Sequence, residues 1–339
     1  MNSRRILVLG ASGYVGSRLV PWLLEKGWRV RAVGRSMKRL QKRFWSNDPN
    51  VELAQTDVFD SGQLRASCKG CRLAYYLVHS MNPHHKDFSK ADRQAAQNMM
   101  DAAEATGLER IIYLSGLGNI RGPLSEHLRS RSEVGKIFYF GKVPPTILRA
   151  AMIIGTGSAS FEMFRYLVNR LPIIVTPRWV DTESQPIAIR DVLAYLVNCL
   201  ENKETIGQIF DIGGPDVISY RSLIELYADE AHLPKRWIVS LPFFPTRLIS
   251  WWIDWMTPVP AAINHPLLEG IRNRVVCENH RIDQFISPHL LNCRDAIRLT
   301  LSGDRTERKV FDNKTVVQYP ELRYPGDPPW VWGSPQGSS

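Results

Sequence analysis

Hydrophobic and polar positions in the first part of the chain follow two periods in turn. Ile6 to Leu9 is a short uninterrupted apolar run, as expected of a strand buried on both faces. Tyr14 to Lys26 then takes a helical period, with Leu19, Val20, Leu23 and Leu24 on one face and Gly27 as a C-terminal stop. Pro21 falls well inside this helix, where its missing N–H and its ring cost ~3 kcal/mol, so a kink or a restart is expected there. Trp28 to Val33, Val51 to Gln55, Leu73 to Val78 and Arg110 to Leu114 repeat the strand pattern, and Lys86 to Thr106 reads as a long helix. Leu73 to Val78 is almost wholly apolar and hence central. Thr146 to Ile154 and Gln208 to Ile212 extend the series. Strands alternating with helices predict an α/β fold: a Rossmann-type, doubly wound parallel sheet with its ligand crevice at the carboxyl edge.

The pattern changes after residue 214. Pro242, Pro245, Pro258, Pro260 and Pro266 punctuate a stretch that holds Trp237, Trp251, Trp252 and Trp255. The expected organisation is a nucleotide-binding domain over 1–214 with a substrate-region insertion at about 156–184. A small α-rich cap over 215–300 and a Pro/Gly-rich, partly disordered tail over 301–339 follow. Trp252, Trp255 and Met256 share a helical face within 248–256. That composition suits the core of a small cap, or alternatively a peripheral anchor at a membrane surface.

The first strand and helix are joined by Gly10-Ala-Ser-Gly-Tyr-Val-Gly16. Gly10 permits a tight turn, Gly13 lets backbone amides approach a pyrophosphate, and Gly16 lets helix and strand pack closely. Ser12, Tyr14 and Val15 complete the candidate loop. The end of the second strand meets the adenosine ribose in such a fold. An acidic residue there would repel a 2′-phosphate, but this chain presents Arg35, with Lys38 and Arg39 one turn onward. NADP(H) is therefore favoured, with NAD(H) as the alternative cofactor. Lys42 and Arg43 read as solvated. Asp57 and Val58, after the third strand, are candidates for the adenine. Leu77, Val78 and His79, after the fourth, are candidates for the path beneath the nicotinamide. Ser115 ends the fifth strand and is a catalytic candidate, and Phe161, Met163, Phe164 and Tyr166 are pocket-lining or core residues at helical spacing.

The 339 residues are 44% hydrophobic and 22% charged, an ordinary globular balance. No run reaches the ~18 apolar residues of a membrane span. Only four apolar residues separate Arg4-Arg5 from Gly10, too few for a secretory signal, so a cytoplasmic location is expected. The net charge of +10 raises nucleic acid or an anionic membrane as partners, but no nucleic-acid-binding motif accompanies it. The five cysteines form no dense framework. Cys68-Lys-Gly-Cys71 lacks a second ligand pair, and no metal site is expected.

Together these stretches resemble the atypical and extended short-chain dehydrogenases/reductases, and among them a bacterial subgroup of NAD(P)-binding proteins. Gly10 to Gly16, Ala74-Tyr-Tyr-Leu-Val-His-Ser-Met81 and Ile111-Ile-Tyr-Leu-Ser-Gly-Leu117 carry the likeness. It continues through His127-Leu-Arg-Ser-Arg-Ser-Glu-Val-Gly135, Gln185-Pro-Ile-Ala-Ile-Arg-Asp191 and Phe210-Asp-Ile-Gly-Gly-Pro-Asp216. The resemblance implies a Tyr-x-x-x-Lys pair after the fifth strand, with Tyr moving the proton that accompanies hydride transfer. None of the eleven tyrosines here has Lys four residues on. The equivalent helix carries His127 and Arg131 on a shared face instead. Arg131 can clamp the nicotinamide ribose but cannot donate a proton, since its pKa exceeds ~12. His127 can, though a neighbouring cation depresses its pKa. The expected function is an NADPH-dependent oxidoreductase on a small apolar carbonyl, enone or quinone-like substrate. The alternative is a catalytically inactive NADP(H)-binding structural or redox-sensing protein.

Overall fold

The computed structural model describes residues 5–78, 88–118, 125–241, 257–261, 270–302 and, near the C-terminus, 320, 321, 323, 324, 327 and 328. Its centre is a seven-stranded sheet built from β1 (Arg5–Leu9), β2 (Arg29–Gly34), β3 (Val51–Gln55), β4 (Leu73–Tyr76), β5 (Arg110–Gly116), β6 (Pro145–Ala150) and the strand Gln208–Ile212. The order across the sheet is Gln208–Ile212, β6, β5, β4, β1, β2, β3, and every pairing is parallel. Consecutive strands run outward from β1 in one direction and from β4 in the other. The order reverses between β1 and β4, and a crevice opens there at the carboxyl ends.

β1 is central because both of its faces are apolar. Ile6 and Val8 point into the core beneath α1 (Tyr14–Glu25) and α7 (Ile189–Glu201), whereas Leu7 and Leu9 point to the opposite side. There they meet α3 (Ser61–Cys68), α4 (Phe88–Thr106) and α5 (Glu126–Tyr139). All four side chains are essentially inaccessible. Cys68 and Cys71 belong to this second core, and burial pushes the Cys68 thiol up to about 12. A third core joins α6 (Ala159–Arg170), α8 (Tyr220–Glu230) and the helix Cys293–Ser302.

Two sequence expectations change here. The stretch 146–154 is interrupted, since β6 ends at Ala150 and Ile153–Ile154 pairs separately with Ile187–Ala188. No restart occurs at Pro21, because α1 runs through it as one helix. The carbonyl that Pro21 leaves without an amide is that of Ser17, and it accepts from the buried indole of Trp45 at 2.9 Å. A tertiary donor replaces the lost helical one. Among the described residues no helix is long and apolar enough to cross a membrane. The tryptophan-rich stretch 248–256 lies outside the described residues.

Candidate functional site: a nucleotide cradle opening into an apolar chamber

Leu9 ends β1, and the backbone turns at Gly10 with φ +93°. A Cβ at Gly10 would lie 2.8 Å from the Leu77 carbonyl oxygen, and one at Gly16 only 2.3 Å from that of Gly10. Both positions therefore require glycine for space, and Gly10 also for conformation. The amides of Gly10 and Ala11 donate to the Val33 carbonyl at 2.9 and 3.0 Å, fastening the loop to the end of β2. Gly13 caps α1 without a side-chain oxygen, and the first turn of α1 holds no acidic residue. The exposed amide end of a helix thus faces the crevice uncompensated, as a pyrophosphate requires. The cradle fits a dinucleotide.

A cleft of about 860 Å³ starts at this loop. At one end it is lined by Gly10, Ser12, Gly13, Tyr14, Val15 and Gly16, with Arg35 and Arg39 at the rim. Its middle holds Leu77, Ser115, His127 and Arg131. Its far end is walled by Met163, Phe164, Leu167, Ile174, Trp179 and Ile224. The Tyr14 ring turns away from the loop. A Cβ at Gly155 would fall 2.3 Å from its hydroxyl, and one at Gly157 (φ +99°) 3.2 Å from its ring. Tyr14 thereby joins the nucleotide loop to the turn that leads into α6.

The middle of the cleft carries the chemistry. Ser125 caps α5, its hydroxyl accepting from the Leu128 amide, which sets His127 in the first turn and Arg131 one turn later. The Ser115 and Tyr113 hydroxyls donate to the Arg131 carbonyl at 3.5 and 3.4 Å, holding this turn against β5. Arg131 Nε is buried with no hydrogen-bond partner among the described residues, an orphaned donor in a side chain that lines the cleft. Loss of hydration and then the Arg131 cation push the His127 imidazole down to about 3. It is therefore neutral at physiological pH, a hydrogen-bonding group and not a store of protons.

Several residues proposed from the sequence lie elsewhere. Asp57 and Val58 do not line the cleft: Asp57 is exposed and its carboxylate accepts from the Phe59 amide at 3.0 Å, whereas Val58 packs in the second core. Val78 packs against that same core, and His79 lies outside the described residues. Met163 and Phe164 line the chamber, but Phe161 is fully buried behind it and Tyr166 is not part of its wall. Arg43 is not solvated. It is 2% exposed, with one nitrogen donating to the Ser12 carbonyl at 2.5 Å and another paired with Asp327 at 2.9 Å. Asp327 and Pro328 themselves line the cleft, a contribution that tail composition gave no reason to expect.

Residues 10–135 match the family model described as NAD(P)H-binding. The chain is 25% identical over 241 residues to the mitochondrial NADH dehydrogenase (ubiquinone) 1 alpha subcomplex subunit 9 of Arabidopsis thaliana, covering 70% of this chain and 60% of that protein. It is 26% identical over 223 residues to the chloroplastic divinyl chlorophyllide a 8-vinyl-reductase of Oryza sativa subsp. indica, covering 62% and 54% respectively. The match thus spans little more than half the length of these relatives. Among solved structures, an NADPH-dependent quinone oxidoreductase from Escherichia coli complexed with NADPH superposes with TM-score 0.68 at 14% identity, covering 86% of this chain and 98% of that one. The Citrobacter triphenylmethane reductase complexed with NADP(H) gives the same TM-score and identity, covering 87% and 99%. Fold and match define the class: residues 10–135 are an NAD(P)H-binding domain, and the chain has the Rossmann-type fold of these solved structures. His127 and Arg131 share a face of α5, and no tyrosine of the sequence has Lys four residues on.

Proposed function

We propose that the chain is an NADP(H)-dependent reductase of an apolar, conjugated acceptor of the quinone or enone kind. One observation carries this reading: a single cavity joins the glycine cradle to the apolar chamber, with His127 and Arg131 between them. Arg35 and Arg39 favour the 2′-phosphorylated cofactor, because a hydrogen bond to a charged group contributes ~1.5–3 kcal/mol. NAD(H) would bind without that contribution. The names of the relatives, vinyl reductase, quinone oxidoreductase and triphenylmethane reductase among them, support reduction as the reaction type.

Bound cofactor would supply a hydride, and the surrounding side chains decide what can receive it. A simple ketone would become an alkoxide and needs an acid at hand. Among the described residues no such acid stands beside Arg131, since neutral His127 donates a hydrogen bond but yields no proton readily. A quinone becomes a phenolate, whose conjugate acid, like that of tyrosine, has a pKa near ~10. The Arg131 guanidinium can stabilise that anion, or the enolate from an enone, until water protonates it. Met163, Phe164 and Trp179 receive the apolar body of the substrate and keep bulk water from the transfer.

Stopped-flow NADPH oxidation with quinones, enals and unconjugated ketones tests the proposal. Turnover is expected with the first two classes and not with the third. Removing one preorganised donor to a developing anion typically lowers kcat by ~10²–10³-fold, the loss expected of Arg131→Met. Silence across the whole panel overturns the reading. It would favour the second one, a protein that holds its nucleotide structurally or senses its redox state. The neutral His127 and the likeness to a subunit of NADH dehydrogenase both favour that alternative. Redox sensing in turn requires NADP⁺ and NADPH to bind with different affinities, because a ligand shifts an equilibrium only through differential binding.

A further inference from the structure

Arg18, Arg43 and Asp327 come from distant parts of the chain and meet beside the nucleotide cradle. Asp327 Oδ1 accepts from Arg43 Nη1 and Oδ2 from Arg18 Nη2, each at 2.9 Å, and Oδ2 also accepts from the Tyr324 amide at 2.9 Å. Arg43 then reaches the loop itself through the Ser12 carbonyl. Arg18 donates to the Tyr14 carbonyl at 3.2 Å, to the Thr156 carbonyl at 2.8 Å and to the Pro320 carbonyl at 2.9 Å. Its guanidinium lies between the rings of Tyr14 and Tyr324, 4.2 Å from each centroid. All three charged side chains are at most 1% exposed.

We propose that Asp327 and Pro328 form a working wall of the nucleotide site, and that Asp327 is a positioning residue holding the glycine-rich loop in its binding shape through Arg43. The proposal rests on the nucleotide reading of the cradle. A segment that merely covered α1 would be held more economically by apolar contacts, because buried charges lose their hydration and repay it only with full pairing. Here both guanidiniums pair with one carboxylate, and the network terminates on the loop whose shape decides pyrophosphate binding. Two guanidiniums against one carboxylate also leave a net positive charge beside the site of an anion. Both Asp327 oxygens are engaged, so the carboxylate is not free to accept from a ribose as an acidic residue at the end of β2 would.

Linkage makes the proposal testable in both directions. If the docked segment favours nucleotide binding, bound nucleotide must favour the docked segment. Hydrogen exchange of the full wild-type chain is expected to slow in peptides spanning 320–328 when NADPH is saturating. Asp327→Asn is expected to weaken NADPH and NADH alike, each by about tenfold, since the loop serves the pyrophosphate common to both. A merely structural anchor would lower Tm and leave the Kd of the folded variant unchanged, which overturns the proposal. Tighter binding of NADPH alone also overturns it, because Asp327 would then be screening the cations from a 2′-phosphate. Should Asp327→Asn fail to fold, the wild-type exchange decides, and unchanged rates under saturation reject the inference. A wild-type protein that binds no pyridine nucleotide removes the reading of the cradle itself. One that binds it with no response at 320–328 removes only this proposal.

Discussion

His127 and Arg131 stand one helical turn apart, and their proximity sets the acid–base character of the cleft. The folded-state pKa of His127, about 3, lies below the ordinary value of ~6.5, so the unfolded chain takes up this proton first as pH falls. The contribution of His127 to stability is constant above pH ~6.5 and declines between that pH and about 3. Urea unfolding at pH 7 and pH 4.5 is expected to show a larger loss of stability in the wild type than in His127→Gln. Equal losses would show that the imidazole is not depressed. The same shift predicts a hydride-transfer rate without an inflection near pH 6.5; an inflection there that His127→Gln abolishes would make the imidazole a proton donor after all. At the rim, Arg35→Ala together with Arg39→Ala is expected to raise the Kd for NADPH by ~10–100-fold and leave that for NADH unchanged. Equal effects on both cofactors would place the 2′-phosphate elsewhere.

Among the elements, α1 shows how local rules are overruled. Proline in a helix interior orphans the carbonyl four residues back, and here that carbonyl, of Ser17, is served by Trp45. Trp45→Phe keeps most of the buried volume but leaves the acceptor unpaired, which is expected to cost ~1–3 kcal/mol in chemical denaturation. In a Pro21→Ala background the helix regains its own amide donor, and the same substitution is expected to cost less. A double-mutant cycle without coupling would refute this account. Gly16→Ala meets the Gly10 carbonyl at 2.3 Å, so it is expected to displace the loop and abolish nucleotide binding even where the fold survives. The strand–loop–helix unit of β1 and α1 was legible in the sequence because its signals are local: an apolar run, glycines at fixed spacing, and a helical period. The interruption of 146–154 was not. Its cause is the pairing of Ile153–Ile154 with Ile187–Ala188, a partner more than thirty residues away.

At the scale of the whole molecule, nucleotide binding and folding are one linked equilibrium. A ligand at a hundred times its Kd stabilises the native state by ~2.7 kcal/mol, so thermal unfolding is expected to shift upward on adding NADPH. NADH at the same concentration is expected to give a smaller shift, on the strength of Arg35 and Arg39. No shift with either would contradict the assignment of the cradle.

Periodicity and glycine spacing determined the layered α/β architecture and the position of the cradle, because a parallel sheet and a phosphate loop are written in short-range sequence. Arg35, Arg39, Ser115, His127 and Arg131, each following a strand end or a helix face, line one cleft, a grouping that the same short-range signals suggested. Tertiary structure alone decided the rest. It buried Arg43, which sequence gave as a surface cation, against a carboxylate 284 positions onward. It set Asp57 and Val58 away from the cleft, and it separated Phe164 in the chamber wall from Phe161 in the core. Such outcomes depend on which distant segment completes a charge or covers an apolar face, and a linear pattern holds no record of that choice.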